Sequence, residues 1–250
     1  MIHSFLLVGQ SNMAGRGFVN EAVPVDLSRI KLLRNGLWTP AFRPFSADRG
    51  FAGVNLAESF AERYAAEQAA EAGIIACADG GTRLEQWMPG QPLYDNAVNN
   101  ARLAMRSSQL AGILWHQGEG DMADGCWQVY GQNFKNFLHT LRKDLGAEDV
   151  PFLIGGLGDF LAECSLIAPE TRTNYARLNE AFAAIAAQEK NVGFVSAAGL
   201  GANPDNLHFS AAALHEFGLR YYEEYKKLGV PVEKPAAAED AAPRTVLESL

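Results

Sequence analysis

The sequence predicts a three-layer α/β/α sandwich built on a five-stranded parallel sheet. Short apolar runs alternate with amphipathic stretches five times along the chain, and repeated strand–helix–strand units fold back only as a parallel sheet. The apolar runs are nearly continuous rather than alternating, as strands covered on both faces require. The chain has 250 residues, 48% of them hydrophobic and 20% charged. It is long enough to bury about three-quarters of the surface its unfolded form exposes, without disulfides or metal.

Phe5-Leu6-Leu7-Val8 reads as the first buried strand. Asn55 to Ala72 reads as a helix with Leu56, Phe60 and Tyr64 on one face and Gly73 as its stop. Ile74 to Ala78 is a second strand, and Tyr94 to Arg106 a helix carrying Val98, Leu103 and Met105. Ala111 to Trp115 is the third strand. Trp127 to Leu145 repeats Trp127, Tyr130, Phe134, Phe137, Leu138, Leu141 and Leu145 at helical spacing and ends at Gly146. Pro151 to Gly155 is the fourth strand, Thr173 to Lys190 an Ala-rich helix, and Val192 to Ser196 the fifth strand. Ser210 is placed to cap a last helix running to about Leu228. Residues 1–230 then form one domain. The Ala-, Glu- and Pro-rich stretch from Pro231 makes residues 231–250 a disordered tail. Residues 14–52 hold no periodic element, and a loop region of that length in a compact domain is usually functional.

Lys and Arg number 21 against 29 Asp and Glu, a net charge of −8, which argues against nucleic-acid or anionic-membrane partners. No run of apolar residues is long enough to span a bilayer. The start, Met1 to Val8, lacks the charged region and long apolar core of a signal peptide, so the chain reads as cytoplasmic. Cys77, Cys126 and Cys164 are odd in number and far apart, as expected of three reduced thiols.

In an open parallel sheet, ligands bind beyond the carboxyl ends of the strands. Those ends carry Gly9-Gln10-Ser11-Asn12, Asp79-Gly80-Gly81-Thr82, His116-Gln117-Gly118-Glu119-Gly120-Asp121, Gly155-Gly156-Leu157-Gly158-Asp159 and, after a loop, Asp205-Asn206-Leu207-His208. Nucleotide binding fails: Leu161 and Pro204 stand where two candidate G-x-G-x-x-G fingerprints need glycine. Met13 breaks G-x-S-x-G, which removes the α/β-hydrolase elbow. Ser11 still sits just past a buried strand, where its hydroxyl can face a cleft. A serine nucleophile needs a base, and the base an orienting carboxylate. His208 and Asp205 supply that pair. In a 2-1-3-4-5 strand order the fifth strand lies roughly 14 Å from the first, and the loop from Ala197 to Leu207 can span about 33 Å. Backbone N–H groups at Gly80 and Gly81 and the Gln117 amide are candidate oxyanion donors. His116, Glu119, Asp121 and His208 lack a metal-ligand spacing, so no metal and no cofactor are expected.

The block Gly9-Gln-Ser-Asn-Met-Ala-Gly-Arg-Gly17 resembles the nucleophile block of the sialate O-acetylesterase-like and carbohydrate esterase family six proteins, within the SGNH (GDSL-like) hydrolase superfamily. The resemblance continues through Ala76 to Trp87, Leu114 to Asp121 and Asp205 to His208, in order over residues 3–228. It implies a serine esterase that removes O-acetyl groups from a carbohydrate of acetylxylan or sialate type. Ser11 would be the nucleophile, His208 the base and Asp205 its orienter, with an oxyanion hole drawn from Ser11, Gly80 or Gly81, and Gln117. Many SGNH enzymes place an Asn donor in the third block. Here Gln117 stands in that segment, with Glu119 left to orient a neighbour. Gln10, Asn12, Arg16, Trp87 and Glu119 are the expected substrate contacts, Trp87 by stacking on a sugar ring. A broader small-acyl esterase and a non-catalytic carbohydrate-binding relative are the alternatives.

Overall fold

The computed structural model describes residues 1–232; most of the expected tail lies outside them. One seven-stranded sheet organises the chain in the order β3-β2-β4-β1-β5-β6-β7. Its strands are β1 Ile2–Gly9, β2 Ile30–Arg34, β3 Leu37–Pro40, β4 Glu71–Ala76, β5 Gln109–His116, β6 Phe152–Gly155 and β7 Val192–Val195. The five expected strands are β1, β4, β5, β6 and β7. They run parallel, and their spatial order is the expected 2-1-3-4-5.

The sheet exceeds the five-strand expectation by a hairpin. β2 joins β4 in parallel and β3 pairs back on β2 in antiparallel, inside the stretch that showed no periodicity. The two-residue turn Asn35-Gly36 has positive φ at both positions, 50° and 78°. Asn-Gly favours such a turn because both residues tolerate the left-handed region.

Helices α1 Ser11–Ala14, α2 Ala57–Gln68, α3 Pro92–Ala104, α4 Cys126–Leu145, α5 Asn174–Gln188 and α6 Ala211–Leu228 connect or flank the strands. On one face α2 and α6 bury an aromatic cluster of Phe5, Phe60, Tyr64, Tyr222 and Tyr225. On the other, α3, α4 and α5 cover Trp115, Phe134, Phe137, Phe152 and Phe182. The α2 boundary differs from the expected one. The helix stops at Gln68, and Gly73 lies inside β4, opposite Ser4 of β1. A Cβ there would lie 2.7 Å from the Trp38 ring, so Gly73 admits the hairpin rather than ending a helix. Ser210 caps α6 as expected, its hydroxyl accepting the Ala213 N–H at 3.2 Å.

Candidate active site

β1 delivers Ser11 to the carboxyl edge of the sheet through an abrupt turn. Gly9 has φ +131°, and a Cβ there would sit 2.1 Å from the His116 carbonyl oxygen. Only glycine fits so close to β5. The Gln10 N–H then donates to His116 O at 2.9 Å, and the single helical turn of α1 closes as Met13 and Ala14 donate to Gln10 O. Ser11 ends up 7% exposed at the start of that turn.

The segment before α6 brings in the base. Ala202 bridges Phe209, the Asn203 N–H donates to His208 O at 2.7 Å, and Asn206 adopts φ 49°. His208 Nε2 lies 3.0 Å from Ser11 Oγ, and His208 Nδ1 lies 2.7 Å from Asp205 Oδ2. A carboxylate at Nδ1 holds the proton there, which leaves Nε2 free to accept from the serine hydroxyl. The other Asp205 oxygen accepts the N–H groups of Leu207 and His208 at 2.9 and 3.0 Å. Burial opposes ionisation of Asp205. The backbone and ring hydrogen bonds from His208, with the Leu207 N–H, outweigh it and hold the carboxyl below its ordinary range. The three expected catalytic side chains therefore meet, although 197 residues separate Ser11 from His208.

Beneath them lies a floor of buried polar groups. Asn12 Nδ2 donates to Glu119 Oε1 at 2.6 Å and to Leu207 O at 3.2 Å, and Asn12 Oδ1 accepts the Phe209 N–H at 3.1 Å. One side-chain amide thus grips the chain on both sides of His208, while Glu119 fixes which way that amide faces. Gln10 Oε1 accepts from Gln117 Nε2, Gly118 N and Gly120 N. Gln10, Asn12 and Glu119, expected to contact substrate, instead build this floor. Behind it His116 is fully buried, edge-on to Phe209 and Phe217. Burial lowers its pKa, against the pull of Glu119. No group of three or more His, Cys, Asp or Glu among the described residues is arranged to hold a metal ion.

Two further expectations need correction. The Gln117 side chain is fully buried, and its amide donates to Gln10 Oε1, to Thr82 O at 3.0 Å and to Asp121 Oδ2 at 2.6 Å, while Tyr130 donates to its Oε1 at 2.7 Å. No N–H of that amide remains for an oxyanion. Trp87 is also fully buried: its indole N–H donates to Thr82 Oγ1 at 3.1 Å and its ring packs edge-on against Trp115. It belongs to the core and offers no face to a sugar.

The Gly80-Gly81 turn does stand beside the nucleophile, since a Cβ on Gly80 would lie 3.5 Å from Ser11 Cβ. The Gly80 peptide is held from both sides. Its N–H donates to Asp48 Oδ2 at 3.0 Å, and its carbonyl accepts from Arg49 Nη2 at 2.8 Å. Arg16, buried, pairs with the same Asp48 carboxylate and donates to Gly15 O. Arg16 therefore braces the turn. Among the described residues no protein acceptor takes the N–H of Ser11 or Gly81. The sequence reading missed Asp48, Arg49 and Asn203. The first two lie in the stretch marked as functional for its length alone, and Asn203 lies two residues before Asp205.

A groove of about 430 Å³ opens beside this pair, lined by Arg16, Phe18, Phe51, Asn203, Asp205 and His208 among others. Residues 1–227 match the family model described as carbohydrate esterase, sialic acid-specific acetylesterase. The chain belongs to this family. Its members are carboxylic ester hydrolases, and the fold is that of the SGNH hydrolases. A probable carbohydrate esterase of Arabidopsis thaliana is 28% identical over 88% of this chain and 89% of its own length. The crystal structure of that plant protein superposes with a TM-score of 0.79, covering 90% of this chain and 98% of that one. The structure of NanS superposes at 0.69 with 19% identity over 91% and 97% of the two chains. A carbohydrate acetylesterase from Xanthomonas citri superposes at 0.66 with 18% identity over 91% of this chain and 56% of that one. At these identities the last two speak for the fold.

Proposed function

We propose that this chain removes O-acetyl groups from a carbohydrate through an acyl-enzyme on Ser11, with residues 1–230 acting as one catalytic unit. The observation that carries the reading is the hydrogen-bonded chain Ser11–His208–Asp205. Ser11 Oγ attacks the acetyl carbonyl while its proton passes to His208 Nε2. The imidazolium that forms is stabilised by Asp205, whose depressed carboxyl keeps its charge. His208 then gives the proton to the leaving sugar oxygen. Water enters, is deprotonated by His208, and releases acetate from Ser11 by the same steps. The unpaired N–H groups of Ser11 and Gly81 suit the oxyanion. The Gly80 N–H joins them where the oxyanion competes with Asp48 for it.

The polar floor supports a small acyl group. Gln10, Asn12, Gln117 and Glu119 fill the space under Ser11 with buried polar groups, a poor lining for a long acyl chain. Each added methylene then finds no burial, so the usual gain of about 0.8 kcal/mol is absent. A cytoplasmic setting fits the three unpaired thiols, Cys77, Cys126 and Cys164.

A serine-directed phosphonate should label Ser11, and kcat/KM should fall from acetate to butyrate to octanoate esters of one alcohol. Labelling of another serine would sink the acyl-enzyme. A preference for octanoate would replace the acetylesterase with a broad acyl esterase.

A further inference from the structure

We infer that Arg49 is a positioning residue for the oxyanion hole: by holding the Gly80 carbonyl it aims the Gly81 N–H. The inference rests on the acyl-enzyme reading above and adds to it a residue from a distant loop. A peptide unit is planar, and its C=O and N–H point in opposite directions. The Gly80 carbonyl and the Gly81 N–H belong to one such unit, so whatever fixes the first fixes the second. Arg49 Nη2 donates to Gly80 O at 2.8 Å. Among the described residues no other protein group bonds either end of this peptide.

The preceding peptide is secured differently. Asp79–Gly80 is bonded at both ends, since the Gly80 N–H donates to Asp48 Oδ2 at 3.0 Å and Thr82 Oγ1 donates to Asp79 O at 2.9 Å. Asp48 is itself locked by the buried Arg16. Gly80 is also crowded, because a Cβ there would collide with Arg16 Nη2 and Asp48 Oδ2. Gly81 is the reverse: a Cβ there would meet nothing within 4 Å, and its φ is +77°. Two successive glycines let the peptide between them rotate with little steric resistance. The Gly80–Gly81 peptide can therefore turn over beside a fixed Gly80, and Arg49 is the group that opposes it. A turned peptide would offer a carbonyl oxygen where the N–H had been, and would repel an oxyanion.

Arg49 is oriented in its turn. Its Nη1 donates to Asp48 O at 2.7 Å, and its Nη2 also reaches Asp79 Oδ1 at 3.1 Å. Neighbouring residues of the segment between β3 and α2 thus clasp both ends of Gly80, just beyond β4. The Arg49 side chain is 41% exposed, so removing it empties no core.

The test is steady-state kinetics of the full chain with 4-nitrophenyl acetate and with an acetylated methyl xyloside. Arg49→Ala should lower kcat about 10–30-fold on both esters. That is less than the 10²–10³ lost with a whole oxyanion donor, because the freed peptide still visits the productive orientation. KM for each ester should stay within about twofold, as expected when an interaction made only in the transition state is lost, and the melting curve should be the parent's. Methylboronic acid, whose tetrahedral adduct on Ser11 sets a hydroxyl in the oxyanion site, should lose inhibition by a similar factor. Arg49→Lys, which keeps a cationic donor for the Gly80 carbonyl, should return kcat to within about threefold of the parent. Parental kcat in Arg49→Ala overturns the inference. So does a loss carried by KM, or one confined to the sugar ester, since either would make Arg49 a substrate contact. Failure of the underlying reading looks different: aryl-acetate hydrolysis would survive Ser11→Ala, and both would fall.

Discussion

Below Ser11, the side chains of Gln10, Asn12, Gln117, Glu119 and Asp121 are buried and exchange hydrogen bonds with one another and with nearby backbone. Around its mouth, Phe18 and Phe51 stand exposed, and Arg49 and Arg83 carry surface ion pairs. The floor is closed to substrate because its side chains are buried and most of their donors and acceptors are taken internally, Glu119 Oε2 being the exception. That consumption makes it rigid, and the rigidity holds Ser11 and His208 in register. The rim keeps the Phe18 and Phe51 rings exposed, and exposed rings are free to recognise something else. Polar character near a nucleophile is thus a poor guide to substrate contact, and burial sorts the two roles.

The sharpest way to break the comparison is at the atoms joining floor to rim. Ser11→Ala should lower kcat by roughly a millionfold while circular dichroism and the melting curve stay those of the parent. Asp205→Asn should cost roughly ten-thousandfold in kcat through the wrong imidazole tautomer. Its stability effect has a defined pH window. Asp205 is held below its ordinary value of 3.8, so its contribution is complete above that value and is lost as the pH falls through the folded pKa. Urea melts should show Asp205→Asn weaker than the parent at pH 6, with the gap closing below about pH 3.8.

Asn12→Ala tests the floor itself. It leaves Glu119 buried without its donor and frees the chain on both sides of His208. A loss of about 2–3 kcal/mol in urea melts should accompany a lower kcat. Asn12→Asp should be at least as severe, because a carboxylate would then face Glu119. A variant with parental stability and rate would remove the floor from the account. Trp87→Phe should cost about 1–2 kcal/mol by opening a cavity yet leave KM for an acetylated sugar within twofold. A large KM change would return Trp87 to the rim. Smallest of all, Asp124→Ala at the exposed Arg83 pair should shift stability by less than about 1 kcal/mol.

The parallel core was legible in the sequence, and so was the set Ser11, Asp205 and His208 that the structure brings together. Continuous apolar runs announce strands buried on both faces, and residues just past such runs must emerge at one edge. Position along the chain therefore placed Ser11, while Asp205 and His208, at the end of a loop after the fifth run, were matched to it by the base and carboxylate that a serine nucleophile needs. It did not reveal which way a side chain turns after emerging. Gln117 and Trp87 were placed at the correct edge, but their packing against Tyr130, Thr82 and Trp115 depends on helices far away in sequence. The β2–β3 hairpin was missed because its strands have only five and four residues among Arg and Pro. The Asn35-Gly36 dipeptide was the signal that marked it.

The central place of β1 in the sheet bears on how the chain is born. Ile2–Gly9 leaves the ribosome well before its two neighbours, β4 and β5, which begin only at Glu71 and Gln109. At a typical synthesis rate of about 5–20 residues per second, this apolar segment waits several seconds or more with both hydrogen-bonding edges open. The nascent polypeptide therefore passes through a sticky interval that a chaperone at the exit tunnel would have to shield. The Ser11–His208 contact arrives later still, when the segment bearing His208 closes over a serine made 197 residues earlier.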